Sequence, residues 1–320
     1  MDMNPKEKSG GEGIGGRSSD RTRWSARDVG KAWQLQFFRM CIRIGGRRAA
    51  YHMMYLVVFW YIVFSPEVRR RTRYYLDRRF PERRGRLRGY WDSYRLVCSF
   101  GQILIDQFSL ALGGADIPEA VCTNEREMKA AAEKGSGAVL LVSHLGCWQI
   151  AMSALAFLDK PVSAVMMPQG EDAPVARMMS GRFPFSIIDP RNGMASVVEM
   201  MNALQEGRIL TIMGDRVFGG PQSRVYTEFL GGKIALPLSP YRLAGAAGVP
   251  ILVLHSARLD ACRYEVTLAR VIEVDKTAGR PLQDYEPFAR QFAEEMEEFV
   301  KEYPWQFFNF FDLWEGRAGG

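Results

Sequence analysis

Between residues 33 and 113 the apolar positions recur at the three-and-four spacing of amphipathic helices, with interruptions at Gly45-Gly46, Pro66, Pro81 and Gly85. This spacing predicts an N-terminal helical region over 29–115. After Ile117-Pro118 the pattern changes to short apolar runs alternating with helical stretches. The runs predict strands at 138–142, 162–166, 186–188, 209–213, 251–254 and 264–274. Helices are expected near 125–134, 147–157, 193–205, 239–247 and 285–302. Such alternation is the signature of a layered α/β domain, here over 116–316. No internal repeat is visible.

The first 28 residues are polar and rich in Gly, Ser and Arg, and read as a low-complexity tail. Gly11, Gly13 and Gly16 form a nominal Gly-x-Gly-x-x-Gly, but neither a strand before it nor a helix after it is expected, so no dinucleotide site is assigned. The tail carries no secretory signal pattern, and the body of the protein is expected in the cytoplasm.

Residues 53–64 read MMYLVVFWYIVF, and with 49–52 the weakly polar stretch reaches sixteen residues. A spanning helix needs roughly 20 apolar residues, so a buried or interfacial helix ending near Ser65-Pro66 is expected. Ten arginines follow between Arg69 and Arg88, against Asp77 and Glu82, a local charge of +8 in a chain whose total is +6. Charge is therefore a patch, and the rest of the chain sums to about −2. An aromatic apolar run followed by arginines predicts a membrane-surface anchor over 49–88, peripheral or a short N-terminal anchor on the cytoplasmic face of the inner membrane. The plainer alternative is a core helix followed by a solvated basic helix. No nucleic-acid motif accompanies the arginines, and no nucleic-acid partner is expected.

Composition narrows the class without naming a chemistry. Hydrophobic residues at 47% and charged residues at 24% exclude a disordered, collagen-like or polytopic membrane protein. Five scattered cysteines without a Cys-x-x-Cys pair signal neither a disulfide framework nor a cysteine zinc site. Three histidines without ligand spacing leave no metal expected, and no cofactor motif is present.

Of the three histidines, His52 lies in the apolar run, while His144 and His255 each end a strand candidate. His144 opens Ser143-His144-Leu145-Gly146-Cys147-Trp148-Gln149, where Gly146 provides a tight turn before a helix. That places an imidazole at a strand-to-helix corner, where ligands gather in open α/β sheets. His255 to Asp260 makes a literal His-x4-Asp, but it falls in an expected hairpin with no helical turn to return the acid to the ring. It is read as a decoy.

The His144 block resembles the His-x4-acid motif of the lysophospholipid acyltransferase superfamily, in the Ser-His-Leu-Gly form of its lipid A biosynthesis branch. Three further blocks follow in order: Gly214-Asp215-Arg216, then Phe229 to Pro237 with Pro240 to Pro250, and Pro304-Trp305-Gln306-Phe307-Phe308-Asn309-Phe310-Phe311-Asp312. The resemblance implies a mixed α/β sheet of the glycerolipid acyltransferase type. It also implies transfer of a fatty acyl group from acyl carrier protein or coenzyme A thioester to a hydroxyl of a membrane lipid or glycolipid. In those terms His144 is the general base, with Gly146, Gly214, Asp215 and Arg216 as substrate-binding residues. Arg216 would hold a phosphate or the developing charge, and Asp215 would anchor that arginine or orient a neighbour.

One departure matters. The fifth residue after His144 is Gln149, where the resemblance implies a carboxylate. An amide offers an acceptor to orient the ring but no charge to stabilise imidazolium. Three outcomes are open: Gln149 suffices as orienter, another acid such as Asp215 serves, or the chain binds lipid or carrier protein with impaired turnover.

Overall fold

The computed structural model describes residues 32–83, 85–112, 117–167, 185–275 and 281–315. The tail read over 1–28 and the boundary expected at 115/116 lie outside the described residues. Three N-terminal helices come first, α1 (Ala32–Phe64), α2 (Pro66–Arg79) and α3 (Arg86–Leu112). Their breaks fall where the glycines and prolines predicted. Gly46 takes φ 70° and kinks α1, and Ser65 caps α2 with Pro66 in its first turn.

Among the described residues a seven-stranded sheet follows, of β1 (Glu119–Cys122), β2 (Ala138–Val142), β3 (Val162–Val165), β4 (Phe185–Ile188), β5 (Ile209–Met213), β8 (Ile251–Arg258) and β9 (Arg263–Ile272). Its order is β1-β9-β8-β2-β5-β3-β4. All neighbours are parallel except the β8–β9 hairpin, as a mixed sheet requires. A separate antiparallel ribbon pairs β6 (Arg224–Phe229) with β7 (Gly232–Pro237). Helices α4 (Glu125–Glu133), α5 (Trp148–Ala151), α6 (Met194–Gln205), α7 (Ser239–Ala247) and α8 (Glu286–Glu302) cover the sheet. The single helix expected over 147–157 is short α5 continued by a 3-10 stretch, Met152–Leu158.

Central strands buried on both faces read as unbroken apolar runs, and this is why β2 is AVLLV with every residue buried. Alternate residues serve two cores. Val139, Leu141, Leu210, Ile212 and Val253 face the core shared with α8, whereas Leu140, Val142, Ile209 and Leu252 face that of α4. Strand β1 escaped sequence reading because it is a four-residue edge strand, three of whose residues are not buried. The ribbon's strands are half-polar, which blurs the apolar-run signal.

The helical region is tied to the sheet by one buried charge. Asp106 of α3 is fully buried and accepts hydrogen bonds from Arg258 Nε at 2.8 Å, Tyr264 Oη at 2.6 Å, Arg47 Nη1 at 3.3 Å and Tyr51 Oη. These donors come from α1, β8 and β9, so the four-way contact fixes α1 and α3 against the sheet. Buried charge is tolerated only when paired in this way.

The aromatic run of α1 is divided between two environments. Tyr51, Met54, Val58 and Ile62 pack against Cys98 and Ile105 of α3. Leu56, Phe59, Trp60 and Phe64 stay about 60% exposed, and Leu87 and Trp91 at the start of α3 are exposed too. Among the described residues no single helix is long and apolar enough to cross a membrane; 40–64 and α2 pass that test only as a pair bent by 94°.

Much of the arginine patch is engaged within the fold. Arg70 and Arg71 bind Glu67, Arg73 binds Asp77, and Arg83 lies 3.5 Å from Asp92. Arg69 donates to the carbonyls of Ile62 and Val63 at the end of α1, and Arg79 to those of Val300 and Lys301 at the end of α8. Arg78 stacks on Trp314. Arg86 and Arg88 are exposed.

Replacing Asp106 with alanine leaves Arg47 and Arg258 buried without that carboxylate, and should cost about 3–5 kcal/mol in urea unfolding. Asp77→Ala, which removes only an exposed partner of Arg73, should cost under about 1 kcal/mol. Equal losses would show that the Asp106 contact does not hold the two regions together.

Candidate active site

The site follows from strand pairing. Parallel β2 and β5 run in register, with Val142 opposite Met213, so residues two positions beyond each strand end emerge side by side. Those residues are His144 and Asp215. Gly214 N donates to Val142 O at 2.7 Å, extending the pairing by one step past the strands. The chain leaves β2 toward β3 on one side and leaves β5 toward β8 on the other, so the pair sits at a topological switch point, where α/β sheets open a crevice.

His144 Nδ1 lies 2.9 Å from Asp215 Oδ1 and 3.1 Å from Oδ2. A carboxylate only accepts, so Nδ1 carries the proton and Nε2 is the ring's basic nitrogen. The contact is reinforced from the backbone, since His144 N donates to Asp215 Oδ2 at 2.7 Å. Asp215 is fully buried, while 24% of the His144 side chain is exposed. Burial by itself would push the Asp215 carboxyl up; the His144 ring and its hydrogen bonds, with Arg216 beside it, outweigh this and hold it at about 2. A buried carboxylate on Nδ1 fixes the tautomer and stabilises the imidazolium that forms when Nε2 takes a proton.

Asn309, itself buried, donates from Nδ2 to Asp215 Oδ2 at 2.8 Å and accepts from Arg216 Nε at 3.4 Å. The Arg216 guanidinium also lies 5.7 Å from the Phe311 ring centre. The loop carrying His144 is held by the C-terminal segment, where Phe308 N donates to His144 O and Gly146 N to Gln306 O, both at 2.9 Å.

The expected residues separate into groups. His144, Asp215 and Arg216 come together. Gln149 opens α5 with its Oε1 accepting from Gln107 Nε2 at 3.0 Å and 3.6 Å from Cys147 Sγ. The orienting acceptor expected from Gln149 is therefore supplied on the ring by Asp215, because the helix turns the amide toward α3. Gly146 and Gly214 have steric reasons to be glycine: Gly146 has φ 60° with Ser256 O 1.6 Å from where a Cβ would sit, and a Cβ on Gly214 would meet the Phe292 ring at 2.6 Å.

His255 lies inside β8, buried, with Nε2 donating to Glu295 O at 3.0 Å and its ring 5.0 Å from that of Phe299. Asp260 is in the β8–β9 turn, bound to Cys262 N, Arg263 N and the Arg263 guanidinium. The literal His-x4-Asp does not assemble. Among the described residues no group of three or more His, Cys, Asp or Glu is placed to hold a metal ion.

Sequence reading assigned no role to Asn309 or Gln107. A signal for the first existed: Asn309 is the lone polar residue in Phe307-Phe308-Asn309-Phe310-Phe311, and an amide buried among phenylalanines needs partners.

Residues 22–315 match the family model described as bacterial lipid A biosynthesis acyltransferase. No curated protein matches the chain.

Burial holds His255 neutral, lowering its pKa to about 4 despite the Glu295 carbonyl, which acts the other way. The unfolded chain, with an ordinary value near 6.5, binds the proton that the folded one refuses. Its contribution is thus fully present above pH 6.5 and is lost as pH falls toward about 4 and below, a change on the order of 1–3 kcal/mol. Urea unfolding at pH 7 and pH 4.5 should show a smaller pH penalty for His255→Gln than for wild type. An equal penalty would mean that another group controls that window.

Proposed function

The chain belongs to the bacterial lipid A biosynthesis acyltransferase family and is an acyltransferase acting on lipid A-like acceptors; on that premise we propose that His144 is its general base and Asp215 the acid paired with it. The observation carrying this reading is the buried Asp215 carboxylate on His144 Nδ1. In the proposed reaction His144 Nε2 takes the proton of the acceptor hydroxyl as its oxygen attacks the thioester carbonyl. The tetrahedral oxyanion collapses with cleavage of the carbon–sulfur bond, and the imidazolium returns the proton to the leaving thiolate. No covalent acyl-enzyme is needed. Asp215, ionised throughout, stabilises the imidazolium. Arg216 offers its guanidinium to an acceptor phosphate or to the oxyanion.

The donor in this reading is an acyl thioester of acyl carrier protein or coenzyme A, and the acceptor a membrane glycolipid. The exposed apolar side chains Leu56, Phe59, Trp60 and Phe64, with the exposed Arg86 and Arg88 at the start of α3, support a peripheral seat on the cytoplasmic face of the inner membrane. Gln149 alone motivated a reading as a non-catalytic binder. That motive weakens once Asp215 provides the charge.

His144→Ala should cut transfer to a small residual rate with little change in melting temperature. Asp215→Asn should slow it by two to four orders of magnitude, about the loss seen when an amide replaces the buried acid of a serine-protease triad. Gln149→Glu should leave turnover level or lower, because the new carboxylate faces Gln107. A tenfold rise would return the orienting role to position 149. For location, the protein should sediment with membranes, and Phe59→Asp with Trp60→Asp should move it to the soluble fraction; unchanged sedimentation would refute the seat on α1.

A further inference from the structure

Asn309 bonds both Asp215 and Arg216, one on each end of a single amide. Its amide chemistry matches both neighbours. The NH2 end can only donate, and it meets the carboxylate; the C=O end can only accept, and it meets the guanidinium. Partner chemistry therefore fixes which way the amide points. At 1% exposure Asn309 cannot exchange these bonds for water. Its backbone is equally constrained: the preceding Phe308 donates to His144 O, and Phe307 bridges to Leu145.

We propose that Asn309 is a positioning residue for acyl transfer: it holds Asp215 on the axis of His144 Nδ1 and sets the Arg216 guanidinium at a fixed spacing from that pair. The inference rests on His144–Asp215 being the catalytic pair. Besides the longer 3.1 Å contact from the ring, Asp215 Oδ2 takes two donors that lie off the ring, His144 N and Asn309 Nδ2. Together they stop the carboxylate from rotating about its last bond, which keeps Oδ1 as the nearer partner of the ring, at 2.9 Å. Without Asn309 the carboxylate loses one of these anchors, and Arg216 loses the acceptor separating its Nε from the acid.

The test compares Asn309→Ala, Asn309→Ser and Asn309→Asp in the full chain, each with its melting temperature. Removing one hydrogen bond to a charged group should lower kcat by about 10- to 100-fold in the first two, with KM for the thioester within about threefold. Asn309→Asp is nearly isosteric and discriminates further. When protonated, its carboxyl O–H donates to Asp215 as the amide does; when ionised, it sets two carboxylates against each other. Its activity should therefore approach wild type on the acidic side and fall as pH rises, a limb the wild type lacks.

A readout independent of turnover is the low-field proton resonance of the His144 Nδ1–H bound to Asp215, identified by its loss in His144→Ala. It should be sharp in wild type and broadened by exchange in Asn309→Ala or Asn309→Ser. Broadening without any acyl transfer by wild type would sink the enzymatic reading, and with it the role in acyl transfer, while upholding the hold of Asn309 on Asp215. A sharp resonance in the variants, kcat within twofold of wild type, or an Asn309→Asp profile without the new limb would overturn the role of Asn309.

Discussion

The site depends on the parallel pairing of β2 with β5. With Val142 opposite Met213, the two strands deliver His144 and Asp215 to the same edge without any search by flexible loops. Both strands are buried on two faces, so the register is set by packing: a slip of one residue would turn the alternating sets Val139/Leu141 and Leu140/Val142 into the wrong cores. The positioning of the proposed catalytic pair is in this sense bought by ordinary hydrophobic burial some distance below it.

What the sheet places, the remaining chain locks. The C-terminal segment clamps the His144 loop through Phe308 and Gln306 and adds Asn309 to the acid. That segment is anchored in turn by α2, where Tyr75 stacks on Phe307 at 4.3 Å and donates to Pro304 O at 2.8 Å. Phe229 of the ribbon stacks on Phe307 and on Trp314. The N-terminal helices are thus more than an attachment: through Asp106 and Tyr75 they hold both the sheet and the segment that clamps the His144 loop.

The large features were legible because they rest on single-strand or single-helix patterns. The apolar runs marked β2, β5 and β8, and Pro66 and Gly46 marked the helix breaks, since each is dictated by local sterics. Strands β1, β6 and β7 were hidden, being short or half-polar. The arginine patch was read correctly as a local excess, yet its side chains are largely spent on Glu67, Asp77, helix-end carbonyls and aromatic rings, which charge counting cannot foresee. His144 was singled out from its corner. The position of Asp215 two residues past its own apolar run carried the same signal, but partnership between two runs 71 residues apart requires the strand order. Gln149 drew attention because the motif reads along the chain, whereas the carboxylate arrives from the neighbouring strand.

The account stands on His144 and Asp215 acting as one unit, and a double-mutant cycle on the residual acyl-transfer rate tests this most directly. Rates for wild type, His144→Ala, Asp215→Asn and the double variant would be followed by mass spectrometry of the acylated lipid. Once His144 is gone, Asp215 has no ring to serve, so the double variant should be within about threefold of His144→Ala. Losses that multiply, with the double variant slower than His144→Ala by the full Asp215→Asn factor, would show two independent groups and contradict the pairing on which the mechanism is built.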